Sequence, residues 1–375
     1  MQNVTSPDDI LVVGAGVIGC AVASELARRG AAVTLIDDRP AGMGATQASA
    51  GVLAPYIEAR EGGPLLELAA RGLDLFDECV ARVTSATGLS VAYQRSGTID
   101  VALGPASVRA LLETRDALSQ RGVAAEWLDA PTVRGAEPQL SADSRGGLLI
   151  PAHGYVAAAD LARALVAEAR ASGATVVDCG RAVRIARQGA RFTVSAERGP
   201  VSAGAVVLAA GSWAGQIDIE GVKTPLPVRP VRGQLLHLAW SGPLLNRVIW
   251  GERCYIVPWR DRTVLVGATV EDVGFDERTT VAGIRSLMEA VCELVPAASA
   301  ASLTSARVGL RPGTPDGLPI IGASTTVPNL MYAIGHYRNG ILLAPLTAAL
   351  VADAMLEGKT DPLLAFTSPV RFGDL

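Results

Sequence analysis

The run Ile10-Leu11-Val12-Val13-Gly14-Ala15-Gly16-Val17-Ile18-Gly19 leads into a helical pattern through Arg29, a stop at Gly30, and the apolar stretch Ala32-Val33-Thr34-Leu35-Ile36, which ends at Asp37-Asp38. A short apolar run, a glycine turn, a helix-period segment and a second β-branched run together specify a βαβ unit. GxGxxG alone is a weak signal, but here it follows a predicted strand, opens a helix, and is answered by an acidic residue at the end of the next strand. Gly14 permits the tight turn, Gly16 lets backbone approach a pyrophosphate, and Gly19 lets helix and strand pack closely. Val17 and Ile18 carry the first amides of a helix whose N-terminus stabilises negative charge. Asp37, with Asp38 beside it, is placed to accept hydrogen bonds from ribose hydroxyls. An acid there, with the nearest basic residue at Arg39, argues against a 2′-phosphate and leaves NAD or FAD.

Working outward, a glycine- and alanine-rich loop from Ala41 to Pro55 holds the small-residue run Ala45-Thr46-Gln47-Ala48-Ser49-Ala50-Gly51-Val52-Leu53-Ala54. Such a run suits either an ordinary tight loop or a bed for a flat ring system. Helical patterns are predicted at 65–84, 107–120 and 158–171, a strand at 96–103, and three strand-like runs between 174 and 208. Small residues then follow a buried strand at Ala209-Ala210-Gly211-Ser212-Trp213, letting the chain approach something closely. The segment 226–269 is strand-rich and proline-punctuated, as expected of a mostly antiparallel sheet outside the nucleotide-binding layer. Strands at 318–321 and 330–334 precede a last helix opened by Gly335-His336-Tyr337-Arg338-Asn339-Gly340.

The 375 residues are 49% hydrophobic and 19% charged, enough for a large core and too apolar for disorder. A net charge of −4 gives no general attraction to nucleic acid or anionic lipid, so an anionic substrate must be met by local arginines. The five cysteines are scattered and never form CxxC, which fits free thiols in a reducing compartment. The stretch from Met1 to Asp9 has no basic n-region, no apolar stretch is expected to span a bilayer, and the location expected is cytoplasmic. The three histidines are widely spaced, so no metal site is expected.

Four separated motifs then make the chain resemble the D-amino-acid oxidase superfamily of flavoproteins, and its glycine oxidase branch most. They are the N-terminal GxGxxG, the loop Thr46 to Gly51, Ala210-Gly211-Ser212-Trp213, and the run Gly335 to Pro345. Gly309-Leu310-Arg311-Pro312-Gly313-Thr314 and Cys254-Tyr255-Ile256-Val257-Pro258 extend the likeness over essentially the whole chain. The resemblance implies an α/β (α+β) fold, with an FAD-binding Rossmann-like domain interleaved with a mostly antiparallel-sheet substrate domain. Segments 1–88, 146–225 and 302–375 are expected in the first, and 89–145 and 226–301 in the second.

It further implies that Thr46, Gln47, Ala48, Ser49, Ala50, Gly51, Val52 and Leu53 line the flavin ring. Val183, Ala210, Gly211 and Trp213 are expected to contact the cofactor. His336, Tyr337, Arg338, Asn339, Gly340 and Ile341 would set helix-start amides beside it, stabilising the negative charge of the reduced ring. Arg311, Tyr255 and Arg338 match the carboxylate-holding and pocket positions, with His336 structural. Glycine, D-amino acids or small secondary amines would be oxidised and molecular oxygen reduced to hydrogen peroxide, with a homo-oligomer as the assembly. The alternative is a D-amino-acid dehydrogenase of the same fold that passes electrons to another carrier. The only lysines are Lys223 and Lys359, neither in a motif, and no cysteine falls near Gly309 to Thr314. Both absences set the chain apart from the sarcosine oxidase branch, so FAD is expected to be noncovalent. Val52 and Val270 fall where a methionine occurs in glycine oxidases, and Arg253 where a histidine does. Shorter side chains at 52 and 270 are expected to leave room for substrates larger than glycine.

Overall fold

The computed structural model describes residues 9–60, 62–259 and 261–375; the reading of the residues ahead of Asp9 lies outside them. The strand Asp9–Val13 sits inside a six-stranded sheet, ordered Ile320–Ala323, Leu330–Ile334, Ala205–Leu208, Asp9–Val13, Ala32–Asp37, Thr175–Asp178. Every pairing is parallel except that of the edge strand Ile320–Ala323 with its neighbour. Alternate side chains of a strand point to opposite faces. Ile10 and Val12 therefore join one core and Leu11 and Val13 another. The first core is roofed by the helices Val17–Arg28, Ala158–Ala171 and Gly340–Glu357, through residues such as Leu26, Leu165 and Leu346. The second is covered by a four-stranded sheet whose Ile185, Phe192 and Val194 meet Leu11, Val13 and Ile36. Burying a side chain such as Phe192 contributes roughly 1.5–3 kcal/mol, so both faces of the parallel sheet are held by apolar burial.

A second, eight-stranded sheet runs in the order Ser302–Gly313, Arg229–Ala239, Thr263–Gly267, Tyr255–Pro258, Val248–Trp250, Thr98–Ala102, Gly146–Ile150, Glu126–Asp129. It is antiparallel throughout except where Val248–Trp250 lies parallel to Thr98–Ala102. The helix Val281–Leu294 covers one face, packing Leu287, Val291 and Leu294 on Leu236, Ile256, Val264 and Val266. The expected fold class, a nucleotide-binding layer interleaved with a mostly antiparallel sheet, is the one found.

Several details differ from expectation. The helix expected at 65–84 is two helices, Gly63–Asp74 and Phe76–Thr87, and the three strand-like runs between 174 and 208 are five strands. Gly146–Ile150 and Ser302–Gly313, read as opening FAD-binding segments, hydrogen-bond into the eight-stranded sheet. In the latter strand Val308 and Leu310 alternate with Arg307, Gly309 and Arg311, and so many small and charged residues hide a strand from sequence reading. By length and composition alone the 18-residue helix Gly340–Glu357 is apolar enough to cross a membrane. In this fold it is a core helix, buried between Val17–Arg28 and Gly63–Asp74.

Candidate active site

One elongated pocket runs from the turn after Val13 to the start of the helix Gly340–Glu357, so that the N-termini of two helices face it. At the nucleotide end Gly14 has φ +106°, and a Cβ on it would stand 2.5 Å from the Ala209 carbonyl oxygen. Only glycine tolerates both the angle and the approach. Asp37 spans the turn: its Oδ2 accepts the Ala15 amide at 2.5 Å and its Oδ1 the Arg39 amide at 2.8 Å. Burial pushes its carboxyl up to about 6, against the pull of those two amides. The Thr46 hydroxyl reaches across from the small-residue loop and accepts the Val17 amide at 3.0 Å, capping the helix that Gly16 cannot cap itself.

Most of the expected cofactor positions lie on this pocket: Gly14, Gly16, Val17, Ile18, Asp37, Asp38, Thr46, Ala48 to Val52, Ala210, Gly211, Trp213 and His336 to Ile341. Four do not. Gly19 packs against the Gly14 carbonyl instead, the close helix–strand approach expected of it. Gln47 turns away and donates through Nε2 to the Val308 carbonyl at 2.9 Å, tying the loop to the second sheet. Leu53 is fully buried in the first core. Val183 turns to solvent, 46% exposed, and the preceding Gly180, Arg181 and Ala182 line the pocket in its place. Arg39, read only as the nearest base to Asp37, lies over the Trp213 ring at 4.5 Å and pairs with Glu277 at 2.9 and 3.0 Å.

The far end is assembled from four distant segments. Arg311 comes from the strand Ser302–Gly313 and fills the space beside Gly233, where any Cβ would overlap its guanidinium. Its Nη1 donates to the carbonyls of Thr269 at 3.0 Å and Arg232 at 3.4 Å, and no carboxylate pairs with it among the described residues. Burial pulls its pKa down, offset by Tyr255. Tyr255 opens the strand Tyr255–Pro258, lies against Gly267, and packs its ring beside Trp250 with centroids 4.9 Å apart. Burial holds its phenol above the usual range.

Arg338 lies in the turn before Gly340. That turn forces Tyr337 into the left-handed region at φ +46°, and the Tyr337 amide donates to the Pro312 carbonyl at 2.9 Å, which fixes Arg338 relative to Arg311. Arg338 grips Glu58 with both Nε, 2.9 Å from Oε2, and Nη2, which donates to Oε1 at 3.0 Å. Burial raises the Glu58 carboxyl, and Arg338 is the chief force lowering it. His336 is buried, with Nε2 3.0 Å from the Thr347 hydroxyl, and burial drops its pKa to about 3. It is a neutral structural group.

Glu58, Trp250 and Arg181 also line the pocket and were not singled out from sequence. Glu58 has no local signature, because its partner lies 280 residues away. Conversely, Val270 is 56% exposed and off the pocket, and Arg253 pairs with Glu289 and Glu293 outside it, so of the three departures only Val52 lines the pocket. Among the described residues no group of His, Cys, Asp or Glu is placed to hold a metal ion.

Two anion-favouring helix ends on one pocket, with the Asp37 carboxylate near one and Arg311 lining the same pocket, are the features of a dinucleotide-binding protein. The chain belongs to the FAD-dependent oxidoreductase family, whose model matches residues 9–354, and within it to the glycine oxidase branch; FAD is its cofactor. It is 33% identical to the glycine oxidase of Geobacillus kaustophilus over 354 residues, 94% of each chain, and the crystal structure of that protein superimposes with a TM-score of 0.92 over 97% of this chain and 98% of that one. An iminodiacetate oxidase from Chelativorans sp. matches at 28% identity and a TM-score of 0.87, over 96% of this chain and 98% of that one. A bifunctional protein ThiO/ThiG of Nostoc sp. is 39% identical over 366 residues, 95% of this chain and 54% of that one. The chain thus spans about half the length of the first curated relatives it matches.

Proposed function

We propose that the protein catalyses FAD-dependent oxidative deamination of glycine, D-amino acids or small secondary amines, giving an imine that water hydrolyses to the oxo acid, with hydrogen peroxide as co-product. The observation that carries this reading is the pairing, in one pocket, of the glycine turn and Asp37 with the buried Arg311, which has no paired carboxylate among the described residues, and the Tyr255 phenol beside it. When bound, the cofactor would supply a two-electron acceptor that oxygen can regenerate. It is held noncovalently: none of the five cysteines lines the pocket. The turn around Gly14 and Gly16 and the helix start at Val17 take its phosphates, Asp37 its ribose, and the small residues 48–52 its ring. The amides opening the helix at Gly340 stabilise negative charge on the ring.

Arg311 holds the substrate carboxylate through two parallel N–H groups, and the Tyr255 hydroxyl adds a third hydrogen bond. Positioning and desolvation supply most of the rate. The titratable groups at this end are poor bases: Glu58 is engaged with Arg338, the Tyr255 phenol is raised, and His336 is turned to Thr347. The amine therefore reacts as the neutral species, having lost its proton before the chemical step. Segments 1–88, 146–225 and 302–375 serve the cofactor and 89–145 and 226–301 the substrate, with the strands Gly146–Ile150 and Ser302–Gly313 shared between them. The enzyme acts as a cytoplasmic homo-oligomer, and its partners are the amine and oxygen, with no membrane or nucleic acid.

The test is anaerobic mixing of the yellow holoprotein with glycine, sarcosine, D- and L-amino acids and L-proline, followed by air. Bleaching with glycine or D-amino acids, and return of colour with stoichiometric peroxide, is the expected result. Bleaching that persists under air would instead mark a dehydrogenase that uses another electron carrier, and no bleaching with any amine would overturn the reading.

A further inference from the structure

Three cations surround the amine end, and two of them are matched. Arg60 pairs with Asp100 and Arg338 pairs with Glu58, while Arg311 hydrogen-bonds only to backbone carbonyls and feels Tyr255 most and Glu58 more weakly, without a paired carboxylate among the described residues. Of these three cations Arg311 alone has no carboxylate paired with it, which suits it to one incoming carboxylate. Both Arg338 and Glu58 line the same pocket as Arg311 and Tyr255, so the matched pair faces that shared space. The Glu58 carboxylate takes up the Nε and Nη2 edge of the guanidinium, the edge with which arginine binds an incoming carboxylate in fork geometry.

We propose that Glu58 is a specificity-determining residue: by occupying Arg338 it denies the pocket a second anion site and restricts the enzyme to amines carrying a single carboxylate. The inference rests on the oxidase reading above. A second carboxylate on the substrate meets Glu58 as a like charge and finds Arg338 already engaged. Such juxtaposed like charges suppress the wrong partner, a repulsive element that adds to the attractive contacts. Replacing Glu58 by glutamine keeps the size of the side chain, removes the charge and releases Arg338.

The experiment uses the FAD-loaded enzyme and two readouts. The first is the perturbation of flavin absorbance on titration with malonate against acetate, which needs no turnover. The second is kcat/KM for D-aspartate against D-alanine. In Glu58→Gln the preference for the dianion is expected to rise by about tenfold in both, the scale of one unmasked charge in a partly desolvated site. Arg338→Gln alone should move the malonate-to-acetate ratio the opposite way, because Glu58 is then left as a lone negative charge. The double variant Glu58→Gln, Arg338→Gln should lose the gained preference. An unchanged malonate-to-acetate ratio in both single variants overturns the proposal, as does a gain that survives in the double variant. Failure of the wild-type flavin to be reduced by any amine, with the malonate and acetate shifts intact, sinks the oxidase reading and leaves the charge-masking inference standing on binding alone.

Discussion

The two ends of the pocket are built in opposite ways. The nucleotide turn is backbone pinned by two nearby side chains: Gly14, Gly16 and the amides of Ala15 and Val17, held by Asp37 and Thr46, all within the first 46 residues. The amine end is made of side chains delivered by four segments around positions 58, 255, 311 and 338, two of them from the eight-stranded sheet. An end built mostly of local backbone is disturbed chiefly by changing chain conformation. A side-chain-built end can be emptied one group at a time with the fold intact.

The largest effect that follows is at Arg311. Arg311→Ala should lower kcat/KM for glycine or D-alanine by roughly 100- to 1,000-fold, mostly through KM, in line with the 2–5 kcal/mol lost when one partner of a buried charged contact is truncated. The flavin spectrum and FAD stoichiometry should stay as in wild type; unchanged kinetics would remove Arg311 from the site, and loss of FAD would abolish the distinction between the two ends. At the nucleotide end Gly14→Ala should do the reverse. A Cβ at φ +106° beside the Ala209 carbonyl costs about 1–3 kcal/mol of backbone strain, so FAD should bind more weakly, while kcat/KM per bound flavin should hold near the wild-type value. Fluorescence titration of the apoprotein with FAD reads this directly, and undiminished affinity would show that the turn is not what holds the phosphates.

The smallest effect sharpens the electrostatics. In the apoprotein the Asp37 carboxyl is raised from 3.8 to about 6, so the folded state binds its proton more tightly than the unfolded chain does. Its contribution to stability is then present below pH 4, is lost as pH rises through 6, and is flat above. The Tm of the apoprotein minus that of Asp37→Asn should therefore fall between about pH 4 and 6 and then level off. A difference that rises over that window would mean that the Ala15 and Arg39 amides outweigh burial.

The same contrast explains what the sequence disclosed. Gly14, Gly16, Gly19 and Asp37 were legible because their roles depend on chain neighbours and a fixed spacing. Arg311, Tyr255 and Arg338 were reached only through a resemblance, since no local rule joins residues from three segments. Glu58 escaped both routes: it is one acid in a short helix, and it gains meaning only when the turn at Tyr337 brings Arg338 to it. Val270 shows the reverse error, because a position reached through the resemblance faces solvent here. The strand Ser302–Gly313 was missed because its arginines and glycines serve the pocket and not the pattern.

The helices Val17–Arg28 and Gly340–Glu357 pack against each other and open on the same pocket. Their two partial positive charges, each near half a unit, repel in the empty protein and are relieved together by one diphosphate-bearing, anion-forming ligand. Folding and loading are therefore thermodynamically linked, with the ligand adding RT ln(1 + [L]/Kd) to the stability of the chain. The FAD-free chain should accordingly be cut by added protease faster than the loaded one, so that the cofactor guards the polypeptide as well as serving its chemistry.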